Sequence, residues 1–292
     1  MKLNEILENT IPQGYAVGSF SPRYVGMIRP VLEAAQECAS PAIVQISQKE
    51  LNLYGITPKQ FAAEFFQQKK ELRITVPTTL HLDHTKDFSV IEDAIAAGFE
   101  SVMIDASEKP FDENAELSRK VVEYAHARGV SVEAELGRIG ANDRVETDTD
   151  SESYTDPDEA QRFTAYTGCD ALAVSVGTAH GVYTVKQPTV DHRIIQAIRK
   201  RTPVYLVLHG GSGVPAEMVI GSFTLPGGGI SKVNIATDLE LSLLAALGVS
   251  ARQTDAWCGS LSEEALRTGR EAVKNTVLDK MVHYLHSNGK AW

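Results

Sequence analysis

Short runs rich in Val, Ile, Leu and Ala alternate along this chain with longer amphipathic runs, and each short run is followed by a long one. A strand that feeds a helix and then another strand must pair in parallel, so the alternation leaves few architectures open. The predicted strands are 15–19, 42–47, 75–82, 101–104, 131–136, 171–176, 204–208 and 232–235. The predicted helices are 25–38, 58–70, 90–97, 114–128, 157–167, 192–201, 216–223 and 239–247. Eight such units, with strands apolar enough to be buried on both faces, fit an α/β fold of the (β/α)8 TIM-barrel class better than an open doubly wound sheet. Residues 1–292 are then expected to form a single barrel domain. Two segments stand outside the repeating unit. Residues 137–155 (GRIGANDRVETDTDSESYT) read as a long polar loop after the fifth strand, where barrel enzymes carry lids. Residues 262–292 read as a terminal helix that packs on the barrel or on a neighbouring subunit.

Composition narrows the function. The 38 acids against 28 bases give a formal net charge of −10, and no Lys/Arg block interrupts it. Such a chain lacks the basic footprint of a nucleic-acid binder and is repelled by anionic membrane surfaces. A hydrophobic share of 43% is too high for a disordered chain, and no apolar run approaches the length of a membrane span. Cys38, Cys169 and Cys258 are odd in number and far apart, which argues against a disulfide framework or a thiolate metal site and favours reduced thiols in the cytoplasm. The amino terminus shows no secretory signal. Small-molecule chemistry is the expectation.

A barrel keeps its reactive groups at the C-terminal ends of its strands. The third strand ends in His81-Leu82-Asp83-His84, with Ser47 closing the second, Asp105 following the fourth and Glu133-Ala134-Glu135 within the fifth. His180 follows the sixth, and the seventh closes on His209-Gly210-Gly211-Ser212-Gly213. The eighth carries Lys232 and Asn234 and runs into Ala236-Thr237-Asp238. Imidazoles from three strand ends, with a carboxylate from Glu135 or Asp105, suit a zinc ion that keeps an open position. A lone histidine at a strand end is more often a hydrogen-bonded structural residue, but four of eight histidines at strand ends make coincidence a weaker account. His126, His192, His283 and His286 fall on helical runs and are expected at the surface. The GGSG turn, Lys232 and the 234–237 turn read as an anion site in the loops after strands seven and eight, where amides and a helix N-terminus face a phosphate. Metal beside phosphate points to a phosphorylated carbonyl compound; a Schiff base on Lys232 is the competing route.

At this point the chain resembles the class II, zinc-dependent ketose-phosphate aldolases, which include fructose-1,6-bisphosphate and tagatose-1,6-bisphosphate aldolases. The resemblance runs through YAVGSF, LHLDH, SVMIDAS, VSVEAELGRIG, YTDPDEA, GTAHG, LVLHGGSG and KVNIAT, in order over nearly the whole chain. It implies that His84, His180 and His209 hold Zn2+, with Glu135 nearby, and that Asp83 exchanges the C4 hydroxyl proton. Asn234 would hold an enediolate bound to zinc. Gly181, Gly210, Gly211, Ser212 and residues 234–237 would cradle dihydroxyacetone phosphate, beside a monovalent cation (Na+ or K+), with Lys232, Asp238 and Ser47 as further substrate contacts. The implied activity is a lyase of carbohydrate metabolism, glycolysis included, acting on a phosphorylated sugar as a homodimer or homotetramer.

The departures concern the far end of the substrate. Ser19-Phe20-Ser21 stands where the family has an asparagine after its Phe, and TDAWCGSLSEEA (254–265) replaces a DPR-type motif. Arg252, Arg267 and Arg270 are candidate substitutes, and 220–230 (IGSFTLPGGGI) is glycine-rich where a helix is expected. The expectation is a fructose-bisphosphate-type aldolase with an altered aldehyde half. The alternatives are a tagatose-bisphosphate or other ketose 1-phosphate aldolase, a non-catalytic aldolase-like subunit, or a metal-free isomerase on the same barrel.

Overall fold

The structure, a computed structural model, describes residues 1–137, 154–179 and 188–292, and between them the backbone of two short strands. The strands are β1 (Val17–Phe20), β2 (Ala42–Ser47), β3 (Thr78–Thr85), β4 (Ser101–Ile104), β5 (Ser131–Leu136), β6 (Ala141–Val145), β7 (Ala171–Val174), β8 (His180–Tyr183), β9 (Tyr205–Leu208) and β10 (Ile230–Ile235). Eight of them close into a parallel barrel in the order β1-β10-β9-β7-β5-β4-β3-β2, with helices between successive barrel strands. The expected fold class holds. Within the segment read as an irregular loop, β6 pairs in parallel with β8 to make a separate two-stranded sheet. Residues 138–140 and 146–153 of that loop lie outside the described residues.

Alternation along the barrel strands sorts the side chains into two environments. Val44, Ile46, Leu80, Leu82, Val132, Ala134, Leu206, Leu208, Val233 and Ile235 join the main core between sheet and helices. Their neighbours point the other way, into the barrel. At its N-terminal end Val17, Ile43, Met103, Ala171, Ala173 and Val207 form a second apolar cluster. The segment LNEIL explains how that end is sealed: Leu3, Ile6 and Leu7 share one face of the helix Leu3–Leu7 and join the cluster fully buried. Each such side chain contributes about 1.5–3 kcal/mol on burial, enough to order a five-residue helix that would not persist alone. Above this plug the inward positions turn polar, and the site begins there.

The C-terminal extension, the helix Glu263–Asp279 followed by a π-helical turn Lys280–Tyr284, packs on the helices Thr237–Ala246 and Ile28–Glu37. Gly269 permits the approach, since a Cβ there would sit 2.5 Å from Leu243 Cδ1. At its end Tyr284 donates its hydroxyl to the Gly211 carbonyl at 2.5 Å, and Lys280 Nζ lies 2.7 Å from Asp238 Oδ2. The extension therefore braces the loop after β9 and the helix start after β10. Tyr284→Phe is expected to cost about 1 kcal/mol, read as a lower denaturant midpoint with an unchanged slope.

Candidate active site

Strand β3 supplies three of the site residues and bends to do so. Its pairing with β4 shifts register between Leu82 and Thr85, and His84 takes a left-handed φ of +33°. This irregularity re-aims His84, which strict alternation would turn away from Asp83, into the same mouth. There its ring meets His209 from the end of β9, with centroids 4.5 Å apart. His84 Nδ1 lies 2.9 Å from Asp105 Oδ2 and 3.7 Å from Glu135 Oε2, and His209 Nδ1 lies 3.5 Å from the same Glu135 oxygen. Asp105 is itself held by the Ser107 amide and hydroxyl.

Two inward positions further down, the polar residues form one connected chain. Ser19 bonds Gln45, and Gln45 Nε2 donates to Asp83 Oδ2 at 3.1 Å. Asn234 Nδ2 donates to Asp83 Oδ1 at 3.0 Å, and Lys232 Nζ donates to Asn234 Oδ1 and to Glu133 Oε2, both at 2.8 Å. Glu133 Oε1 reaches His209 Nε2 at 2.8 Å. His81, fully buried, lies 3.6 Å from Glu133 Oε2 and has Nδ1 2.9 Å from Ser101 Oγ.

The electrostatics follow from this packing. Burial works against the charge of Asp83, yet His84, Lys232 and His209 hold its carboxyl below the usual range. Burial also opposes a charged His84, but Asp83 and Asp105 outweigh it and raise the imidazole to about 10. Burial, with Lys232 adding to it, pushes His81 down to about 3, so that ring stays neutral. Burial raises Glu135 as well. A carboxylate set that strong calls for a cation among its imidazoles.

A metal ion meets that demand. Asp83, His84 and His209 form one set of ligand atoms within 4.8 Å of one another; His84, Asp105 and Glu135 form another, and His81, Asp83 and Glu133 a third. Glu135 Oε2 is buried with no hydrogen-bond partner although it lies between two imidazoles. Nitrogen and carboxylate donors with one oxygen unsatisfied fit zinc. The side chain of His180 lies outside the described residues, and Gly181 is described only as backbone of β8.

The sequence matches the family described as fructose-bisphosphate aldolase class-II over residues 1–290. The chain belongs to the class II fructose-bisphosphate aldolase family. It is 37% identical to the fructose-bisphosphate aldolase of Geobacillus stearothermophilus, covering 100% of this chain and 98% of that one. It is 38% identical to a probable fructose-bisphosphate aldolase of Bacillus subtilis, covering 99% and 98%. The crystal structure of the YdjI aldolase from Escherichia coli K12 superposes with a TM-score of 0.83 at 30% identity, covering 100% of this chain and 99% of the other. This aldolase is thus a lyase whose zinc-dependent reaction, of the fructose-bisphosphate aldolase type, acts on a phosphorylated sugar. Among the described residues no helix is long and apolar enough to cross a membrane.

The other expected site residues divide by place. Gly210 has a φ of +65° and its Cβ position is taken by the Ala179 carbonyl; a Cβ on Gly211 would meet Val233 Cγ1 at 2.6 Å. Both positions require glycine. Ser212 Oγ accepts from the Ala236 and Asp238 amides at 3.2 and 3.3 Å, so it ties the GGSG turn to the start of the helix that opens at Thr237. The Asp238 carboxylate is paired with Lys280. Lys232 is not in the anion loop: its ammonium is fully buried below it, on Glu133 and Asn234. Ser47 caps the helix Gln48–Tyr54 through a capping box with Glu50, an element absent from the sequence reading although Ser47-x-x-Glu50 announces it. His192, expected at the surface, is half-buried and bonds the Met218 carbonyl at 2.8 Å.

Gln45 is the site residue that the reading of strand ends passed over, whereas Glu133 and His81 were named there without a role of their own. A single polar residue inside the apolar strand AIVQIS was the available signal for Gln45, and the two-residue spacing of Glu133 and Glu135 that for a shared inward face. Because Gln45 bridges Ser19 and Asp83 and bonds neither imidazole, Gln45→Leu is expected to lower kcat about 10-fold while zinc content by elemental analysis stays unchanged. His209→Ala should instead remove the metal.

Proposed function

We propose that the aldolase cleaves a ketose phosphate reversibly to dihydroxyacetone phosphate and an aldehyde, with Asp83 as the base and an aldehyde half altered from that of its relatives. The observation that carries the reading is the Asp83 carboxylate, hydrogen-bonded by Asn234 and Gln45, next to the imidazoles of His84 and His209. His84, His180 and His209 would hold the zinc, with Glu135 and Asp105 beside them. Zinc, when bound there, polarises the ketose carbonyl and stabilises negative charge at the neighbouring carbon.

The chain does the rest by position and proton transfer. Asp83 takes the C4 hydroxyl proton, the C3–C4 bond breaks, and its electron pair stays on the dihydroxyacetone phosphate half, where a proton quenches it. The Asn234 amide orients that half against Asp83. The phosphate rests between the GGSG turn and the 234–237 turn, on the Ser212 and Thr237 amides, with Gly181, Gly210 and Gly211 lining the cradle; the Gly211 amide is committed to the Asn234 carbonyl, and those of Ala236 and Asp238 to Ser212. A Na+ or K+ ion beside it, a homodimer or homotetramer, and a cytoplasmic setting rest on the family resemblance; the free thiols of Cys38, Cys169 and Cys258 agree with the last.

The names of the relatives from G. stearothermophilus and B. subtilis support fructose bisphosphate as a substrate. The residues on the Asp83 side of the mouth support an altered acceptor. Ser47 is in register with Asp83, and its hydroxyl reaches Glu50 Oε2 at 3.1 Å, as does Ser21 at 2.9 Å. Arg23, in a left-handed backbone conformation, lays its guanidinium on Glu50 and Glu240, and Arg252 Nε lies 3.1 Å from Glu240. Two cations thus meet two carboxylates, a lining that suits hydroxyl groups better than a second phosphate dianion. Arg270 is turned elsewhere, donating to the Gly26 carbonyl, and Arg267 is exposed on the terminal helix.

Steady-state cleavage of fructose and tagatose bisphosphates against ketose 1-phosphates with uncharged ends tests both parts. A ketose 1-phosphate is expected to match or exceed fructose bisphosphate in kcat/KM; fast fructose bisphosphate turnover at low KM would sink the altered acceptor and leave the aldolase. Asp83→Ala is expected to keep its zinc and lose about 10²- to 10⁴-fold in kcat.

A further inference from the structure

The reaction as written gives no task to Lys232 or Glu133, two charged side chains at 0% exposure inside the barrel. We propose that Lys232 is a positioning residue: one buried ammonium that fixes the Asn234 amide toward Asp83 and, through Glu133, the edge that His209 turns to the metal site. The inference rests on the zinc aldolase reading.

The donor and acceptor inventory carries the argument. An ammonium only donates, so both of its 2.8 Å partners must accept, Asn234 by Oδ1 and Glu133 by a carboxylate oxygen. With Oδ1 committed to Lys232, only Nδ2 is left to meet Asp83 Oδ1, and it does so at 3.0 Å. The flipped amide is refused on both sides. It would set Oδ1 against the Asp83 carboxylate and Nδ2 against the ammonium.

The second arm works through Glu133. One oxygen takes Lys232, and the other receives His209 Nε2 at 2.8 Å, so Nε2 carries the hydrogen. The opposite edge, Nδ1, is the one that lies 3.5 Å from Glu135 Oε2. A carboxylate behind a metal-binding imidazole sets its tautomer and ring angle. Lys232 in turn supplies the positive charge that lets Glu133 stay ionised in a closed barrel. Nothing turns Lys232 toward a substrate phosphate or carbonyl: its nitrogen is engaged by two acceptors beneath the mouth.

The wild-type enzyme is measured first, with zinc and after chelation. Absence of metal-dependent cleavage there sinks the aldolase reading itself and says nothing against the positioning geometry. Given an active wild type, Lys232→Met is expected to lower kcat by about 10- to 100-fold. Its KM for the ketose phosphate and its inhibition constant for inorganic phosphate should stay within about 3-fold. In an Asn234→Ala background the same change should cost less than about 3-fold more, because the two residues act as one unit. Lys232→Arg, which keeps the donors, should recover part of the loss. Glu133→Gln should weaken zinc binding, read by chelator competition, by about 10- to 100-fold. If Lys232→Met does not fold by circular dichroism, Lys232→Met with Glu133→Gln removes both charges together and takes its place in the kcat and phosphate measurements. A tenfold rise in KM or in the phosphate inhibition constant, losses that multiply with Asn234→Ala, or unchanged zinc affinity in Glu133→Gln would each overturn the proposal.

Discussion

A charge inside a closed barrel has no solvent to fall back on, and this structure puts one of each sign there: Glu133 and Lys232, 2.8 Å apart and both fully buried. Taking either partner away would strand the other, at about 3–5 kcal/mol for pairs of this kind, whereas the intact pair is close to neutral in stability. The pair therefore specifies more than it stabilises. Each member has a second contact, Glu133 to His209 and Lys232 to Asn234, so the barrel's internal charge balance and the orientation of the reacting groups are set together.

Such an interior is tolerable because the apolar burden is carried elsewhere. The outward faces of the barrel strands join the helices in the main core, and the plug of Leu3, Ile6 and Leu7 over Val17, Ile43, Met103 and Val207 closes the far end. The barrel is thus apolar at one end and polar at the other, and the inward residues toward the C-terminal mouth are joined by hydrogen bonds to one another. At the mouth itself the accounting ends on Glu135 Oε2, the buried atom a cation would complete.

How much of this was legible in the sequence depends on range. Strands β2, β4 and β5 and the helices Pro157–Thr167 and Ala216–Phe223 fall where the alternation put them, because period two or 3.6 and a nearby cap determine them locally. Strand β3 runs Thr78–Thr85 and not 75–82, because its polar end looked like an exit whereas the barrel continues through it. The helix Leu3–Leu7 went unseen because its reason, the open end of the barrel, is not in its neighbours. The glycine-rich 220–230 stretch, read as an anomaly of the site, belongs to the fold: the helix forms normally, and a Cβ on Gly229 would collide with the Ser222 carbonyl. The Asp83–Asn234 and Glu133–Lys232 contacts span 151 and 99 residues, and no local pattern encodes which polar residue answers which across such a span. Strand-end composition could nominate Asp83, His84, His209 and Asn234, but not join them.

The net charge of −10 sharpens rather than opposes the binding of a phosphorylated sugar. Lys232, the cation nearest the cradle by sequence, is spent on Glu133 inside the barrel, and Arg23 and Arg252 are spent on Glu50 and Glu240. Among the described residues, the groups proposed above to meet the phosphate carry no formal charge: the GGSG turn and the N-terminus of the helix Thr237–Ala246, held together by Ser212. The carboxylates gathered around His84 and His209 would repel a phosphate on their own. A divalent ion among them reverses that sign locally. The metal is therefore demanded twice, once by the buried carboxylates it neutralises and again by an anionic substrate that the surrounding protein field would otherwise exclude.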